Sequence, residues 1–170
     1  MTKDDPTALA TYGKRYIFGE LKQRTIGASI ELSWTFTPNL SLQFFAQPLI
    51  SVGKYDNIKE LKKPGTYSFL VYGQDGSTFD KTTYIADPDG AGPAPPIDIG
   101  NPDFNFVSMR GNAVLRWEYS PGSVVYFVWT QSRFSYAYNS MFGLGHAASG
   151  IFDLHPDNIF LIKLTHWFSF

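Results

Sequence analysis

Ile26-Gly27-Ala28-Ser29-Ile30-Glu31-Leu32-Ser33-Trp34-Thr35-Phe36-Thr37 alternates without a break. Ile26, Ala28, Ile30, Leu32, Trp34 and Phe36 occupy one set of positions, and Gly27, Ser29, Glu31, Ser33, Thr35 and Thr37 the other. A period of two places successive Cβ atoms on opposite faces, so the stretch predicts a strand with one apolar and one polar side. Thr37-Pro38-Asn39 supplies a tight turn. The next strand carries Leu40, Leu42, Phe44, Ala46 and Ile50 on the apolar side. Ser41, Gln43, Gln47 and Ser51 oppose them, with Phe45 and Leu49 as exceptions. Pro48 falls inside this strand and cannot donate to a ladder, which predicts a local irregularity there.

The pattern returns further along. Val107, Met109, Gly111, Ala113, Leu115, Trp117 and Tyr119 form one face, and Ser108, Arg110, Asn112, Arg116 and Glu118 the other. Ser120-Pro121-Gly122 turns the chain into a strand from Ser123 to about Phe134. That strand is apolar on both sides at first, and Gln131 and Arg133 assign its odd positions to the polar side. A last strand begins at Ile159, with Phe160, Ile162, Leu164, His166, Phe168 and Phe170 opposite Lys163, Thr165 and Ser169. A further strand, about Arg15 to Leu21, precedes the first. Strands this long exceed the roughly five or six residues of ordinary sheets and the roughly 9–11 that cross a bilayer at a tilt. Tight turns at Pro38 and Pro121 alternate with long connections, as in outer-membrane barrels. The chain reads as one domain, 1–170, with 57–103 as a long extracellular loop. Within it, Tyr67–Tyr72 and Thr78–Ala86 read as a hairpin around Gln74-Asp75-Gly76, followed by the turn-rich segment 87–96.

Composition narrows the alternatives. With 14 basic and 15 acidic residues the net charge is -1, and no basic stripe exists to track phosphates, so nucleic acid is no partner. Without cysteine there is no disulfide framework or thiol chemistry. Charged residues make up 17% of the chain, against about 25% in ordinary globular chains, and aromatics another 17%. Met1 to Pro6 is polar and leads into no apolar segment, so no signal peptide is visible. The longest uncharged runs, Leu32 to Gly53 and Phe134 to Phe152, are interrupted by Pro38, Pro48, Asn139 and His146, so neither makes a spanning helix.

Trp34 and Phe36 precede the first tight turn, Trp117 and Tyr119 the second, and Phe168 and Phe170 close the last strand. All six lie on the apolar face at one depth, the arrangement of a membrane-interface girdle. Tyr55, Phe104, Phe106, Phe134 and Tyr136 mark the opposite rim. The amphipathic terminal strand suits the outer-membrane assembly machinery, with His166 interrupting its apolar face.

Several stretches carry a family likeness: Tyr12-Gly13-Lys14-Arg15-Tyr16-Ile17-Phe18-Gly19, Phe36-Thr37-Pro38-Asn39-Leu40-Ser41-Leu42-Gln43 and Asn101-Pro102-Asp103-Phe104-Asn105-Phe106. Arg110-Gly111-Asn112-Ala113-Val114-Leu115-Arg116-Trp117-Glu118-Tyr119, Pro121-Gly122-Ser123 and Val128-Trp129-Thr130-Gln131 extend it. Together they resemble the C-terminal barrel of a large bacterial family of unknown function. The resemblance implies full-length members with a signal peptide, a domain similar to family-9 carbohydrate-binding modules and then the barrel. Some members are labelled membrane-associated hydrolases. It implies no catalytic residue in this region.

The residues themselves point to no reaction. His146, His155 and His166 lack metal-ligand spacing, and Asp87-Pro88-Asp89-Gly90 lacks the later Glu of a calcium loop. No nucleophile elbow or phosphate loop is present, and Glu31 and Glu118 lie on different strands near arginines, which suits structural pairing better than a glycosidase pair. Glu31, Arg110, Arg116, Glu118, Arg133 and Lys163 are assigned to the polar face, the lumen of a barrel. They form a structural ladder or, failing that, a pore lining. The expected fold is all-β: an antiparallel transmembrane barrel segment of about six long strands plus a small extracellular hairpin. Because barrels begin at about eight strands, strands upstream must complete the wall. The expected setting is the bacterial outer membrane, with the lipid bilayer as partner, no cofactor and no metal. A soluble β-barrel or sandwich enclosing an apolar ligand is the alternative, and part of a hydrolase the third.

Overall fold

In a computed structural model that describes residues 1–141 and 150–168, the alternating segments form antiparallel strands and very little is helical. In chain order they are β1 (Thr2–Asp4), β2 (Lys14–Gly27), β3 (Ile30–Thr37), β4 (Leu40–Leu61) and β5 (Phe69–Val71). Then come β6 (Thr78–Asp80), β7 (Ile85–Asp87), β8 (Ile97–Asp98), β9 (Phe104–Ser120), β10 (Ser123–Ala137) and β11 (Asp157–Thr165). The main sheet has the order β1-β2-β4-β9-β10-β11, with β3 and β5 also on β4, and β6-β7-β8 form a second sheet.

Pro48 acts on its neighbour. β4 runs through it unbroken, while the opposing strand is interrupted at 28–29, between β2 and β3. The Ala28 N–H donates to the Pro48 carbonyl at 3.1 Å, in line with the register that sets Ile30 opposite Ala46. An ordinary residue would return a bond to the Ala28 carbonyl, and proline has no N–H to do so. The lost ladder bond therefore shows as a break opposite the proline.

By their contacts the residues group into two compact units. The first comprises Met1–Gln23, Gly53–Phe104 and Tyr138–Ser140. Its closed apolar core joins Ile17, Ile58, Tyr72, Ala86 and Ile97, with Tyr55, Leu70, Phe79 and Ile99 packed against it. The hairpin expected between 67–72 and 78–86 does not form. β5 pairs with the end of β4, setting Val71 opposite Lys59, and β6 pairs with β7 instead. Gln74-Asp75-Gly76 does turn the chain, with the Ser77 N–H on the Gln74 carbonyl at 2.9 Å, but it links two sheets. The true hairpin turns at 81–84, where the Tyr84 N–H bonds the Asp80 carbonyl at 2.8 Å and the Asp80 carboxylate accepts from Thr82 and Thr83. A turn motif signals a reversal of direction and says nothing of which strand lies alongside. Burial of Tyr72 and Ala86 in one core decides that.

The second unit comprises Arg24–Val52, Asn105–Ala137 and Met141–Phe170. Its described strands form one layer, with Leu32 opposite Phe44, Leu115 opposite Phe127, and Phe127 opposite Ile162. Side chains directly opposite each other share a face, so this register assembles one face from the alternating apolar sets of every strand. One assignment changes. Arg133 lies opposite Met109, and Gln131 opposite Gly111, so the odd positions of β10 join the apolar face. Trp129 and Phe127 have that same parity, and they outweigh the two polar residues on which the opposite assignment rested.

Candidate functional site

The apolar face of the second unit is open to its surroundings. Ile30 is 52% exposed, Leu32 46%, Phe160 75% and Ile162 69%. β3 and β11 are exposed at every position on both faces. Among the described residues each pairs with a single neighbour, β3 with β4 and β11 with β10. Among the described residues the sheet thus carries two free edges and an apolar surface that is open along β3 and β11, while Ala46 and Ile50 on the same face are buried.

Toward the tight turns this surface becomes aromatic. Trp34 stacks on Phe36 with centroids 5.3 Å apart, and Trp117 meets Tyr119 edge-on at 6.1 Å. Tyr119 stacks on His166, which meets Phe168 edge-on at 4.5 Å. The imidazole that breaks the apolar pattern is satisfied locally: its Nδ1 lies 2.8 Å from the Tyr119 hydroxyl and 3.2 Å from Ser123 Oγ. Phe170 lies outside the described residues. The other expected rim is not on this face. Tyr136 is opposite Phe106, and Phe134 opposite Ser108, so Phe106, Phe134 and Tyr136 project from the polar side. Tyr55 and Phe104 belong to the first unit, where the Phe104 ring fills the space a side chain at Gly53 would need.

On the polar face stand Glu31, Arg110, Arg116, Glu118 and Lys163, by their parity in the register. Arg116 Nη2 donates to Glu118 Oε2 at 2.9 Å, and the Gly122 N–H to Glu118 Oε1 at 3.2 Å. Arg116, Tyr126 and Lys163 lie side by side on three strands, with Lys163 Nζ 5.9 Å from the Tyr126 ring centre. Alternating cation and ring keeps the two positive charges apart. Glu31 and Arg110 are exposed and make no side-chain bond among the described residues.

Arg133 has a different task. Its Nη1 donates to the carbonyls of Phe152 and Leu154, and its Nε to Gln131 Oε1 at 3.0 Å. Residues 150–153 are helical, so the guanidinium satisfies carbonyls at the end of that turn, which no further turn can reach. Beneath the turn is a groove of about 680 Å³ whose floor includes Ala28, Ala46 and Gly111, with Ile151 and Phe152 at one wall.

An ionic cluster in the first unit escaped the sequence reading. Arg15 donates to Asp5 at 2.5 Å and to Glu60 at 2.6 Å, and the Tyr72 hydroxyl donates to the other Glu60 oxygen at 2.8 Å. All four residues are buried. Burial pushes the Asp5 carboxyl up, but the bonds from Arg15 and Thr7 outweigh it and hold the group below its ordinary value. Burial, and then the bond to Glu60, push the Tyr72 hydroxyl far up. The available signal was parity: Arg15 alternates with Ile17 on the buried side of β2. Among the described residues no three potential metal ligands come together.

One protein-family model, described as a domain of unknown function (DUF5916), matches residues 2–170. No curated protein and no solved structure matches the chain.

Proposed function

The chain belongs to that family of unknown function, and we propose from its own surfaces that the second unit is a section of a bacterial outer-membrane β-barrel wall. The apolar face meets lipid and the polar face lines the lumen. The carrying observation is the one-layered sheet with an exposed apolar face and two free edges. In water such a face has no partner, and in lipid it needs none. Lipid does not tolerate open edges, so further strands pair with β3 and β11 to close the wall. The aromatic belt of Trp34, Phe36, Trp117, Tyr119 and Phe168 sits at one interface. β11 is the strand offered to the assembly machinery, and a carbohydrate-binding-like domain upstream would link the barrel to glycan capture or uptake.

A second reading, a β-sheet protein that binds an apolar ligand, draws on the groove of about 680 Å³ under residues 150–153. Its size falls in the range of small-molecule sites, roughly 300–1,000 Å³. The exposed belt speaks against it, because such a protein encloses its apolar face.

Site-directed thiol labelling separates the two. The chain has no cysteine, so within it each introduced thiol reports alone, and any cysteine elsewhere in the full-length protein is first replaced by serine. In membranes holding the full-length protein, Leu32→Cys and Ile162→Cys should resist a membrane-impermeant maleimide and react after solubilisation. Ser33→Cys should react in both. Recovery of the protein in the soluble fraction, or equal labelling at Leu32 and Ser33, would refute the barrel-wall reading.

A further inference from the structure

The first unit contains a second cavity, of about 260 Å³, whose lining belongs to that unit alone. Tyr55, Phe79 and Tyr84 supply aromatic surface, with Phe79 and Tyr84 edge-on at 6.3 Å. Gln74, Lys81 and Asp103 supply polar groups. Asp103 is 7% exposed, and one of its carboxylate oxygens accepts the Tyr55 N–H at 2.7 Å. Its other oxygen, the Gln74 amide, the Lys81 ammonium and the Tyr84 hydroxyl have no hydrogen-bond partner among the described residues. Asp103 is buried and Tyr84 half-buried, while Gln74 and Lys81 are exposed. The aromatic cavity is thus lined by a buried carboxylate with one oxygen unengaged by the described residues and by an amide, an ammonium and a hydroxyl that a ligand can reach. Burial and the Asp103 charge both raise the Tyr84 hydroxyl above its ordinary value.

The charges select the ligand. Lys54 and Lys81 face Asp56 and Asp103 around the same cavity, so neither a free cation nor a free anion finds a single-signed site. A hydroxyl donates and accepts at once and can use a carboxylate, an amide and an ammonium together. A ring with apolar C–H faces can lie on the tyrosine and phenylalanine rings. We propose that this cavity binds a neutral polyhydroxylated ring the size of one sugar residue, with Asp103, Gln74 and Lys81 holding its hydroxyls. The inference stands on the first unit and does not depend on the membrane reading.

Saturation-transfer NMR on the intact protein tests it with D-glucose, D-galactose, D-xylose and N-acetyl-D-glucosamine, against tetramethylammonium and inorganic phosphate. At least one sugar should give saturable transfer below about 100 mM, in the weak range expected of a small ligand with few contacts. Lys81→Ala and Gln74→Ala, both at exposed positions, should each weaken binding about fivefold to tenfold, the effect of one lost polar contact. Tyr84→Phe should do the same while keeping the ring. Circular dichroism of each variant separates lost contacts from lost folding. Failure of every sugar to saturate, preference for either ion, or unchanged affinity in folded Lys81→Ala and Gln74→Ala would overturn the proposal.

Discussion

Leu32→Arg distinguishes lipid from water at a single position. Leu32 lies on the apolar face opposite Phe44, four residues before Phe36 in the aromatic belt. At roughly 3.4 Å per residue the separation along the strand is about 14 Å, and a tilt of about 40° reduces it to about 10 Å of depth. The apolar band of such barrels is about 25 Å tall, which puts Leu32 near its middle, where an arginine costs about 2–4 kcal/mol. In water the same change is mild. Leu32 is already 46% exposed, so it forfeits about half of a buried leucine, roughly 1 kcal/mol, and the arginine stem recovers part of that. Ser33→Arg, on the opposite face, is the control and should cost about 0.5 kcal/mol or less. Urea titration of the full-length protein into lipid vesicles, read by heat-modifiable gel mobility, gives both numbers. Equal costs for Leu32→Arg and Ser33→Arg would refute the assignment of this face to lipid.

Arg15→Ala should destabilise the first unit by about 3–5 kcal/mol, because it leaves Asp5 and Glu60 buried without their cation. Faster amide exchange across β1 and the first residues of β2 would show it. Asp5 titrates lower in the folded chain than its ordinary value of 3.8, so its contribution is complete above that value and disappears as pH falls through the lower, folded one. Asp5→Asn should therefore flatten the acid side of the first unit's stability profile, and an unchanged slope would remove Asp5 from the account. Arg116→Ala leaves Glu118 with only the Gly122 N–H. Since both side chains are partly exposed, the loss should be no more than about 1 kcal/mol, accompanied by a changed single-channel current if the polar face lines a lumen.

The strands, their two-sidedness and the turns at Pro38 and Pro121 were legible in the sequence, because side-chain alternation and turn chemistry are local properties. So was the parity of Glu31, Arg110, Arg116, Glu118 and Lys163. Where the local signal was mixed, neighbours decided. β10 is apolar on both sides at its start, so its parity waited for Trp129 to be set opposite Ala113 and Arg133 opposite Met109. Only then did Arg133 become the group that satisfies the carbonyls of Phe152 and Leu154. The closed core of the first unit joins Ile17 to Ile97, and its ionic cluster joins Asp5 and Arg15 to Glu60 and Tyr72. Parity marks Arg15 and Ile17 as the buried side of β2, but nothing periodic names their partners so far along the chain. What brings them together is the burial of apolar surface and the need of each buried charge for a partner, and both are settled only when the strands have chosen their neighbours.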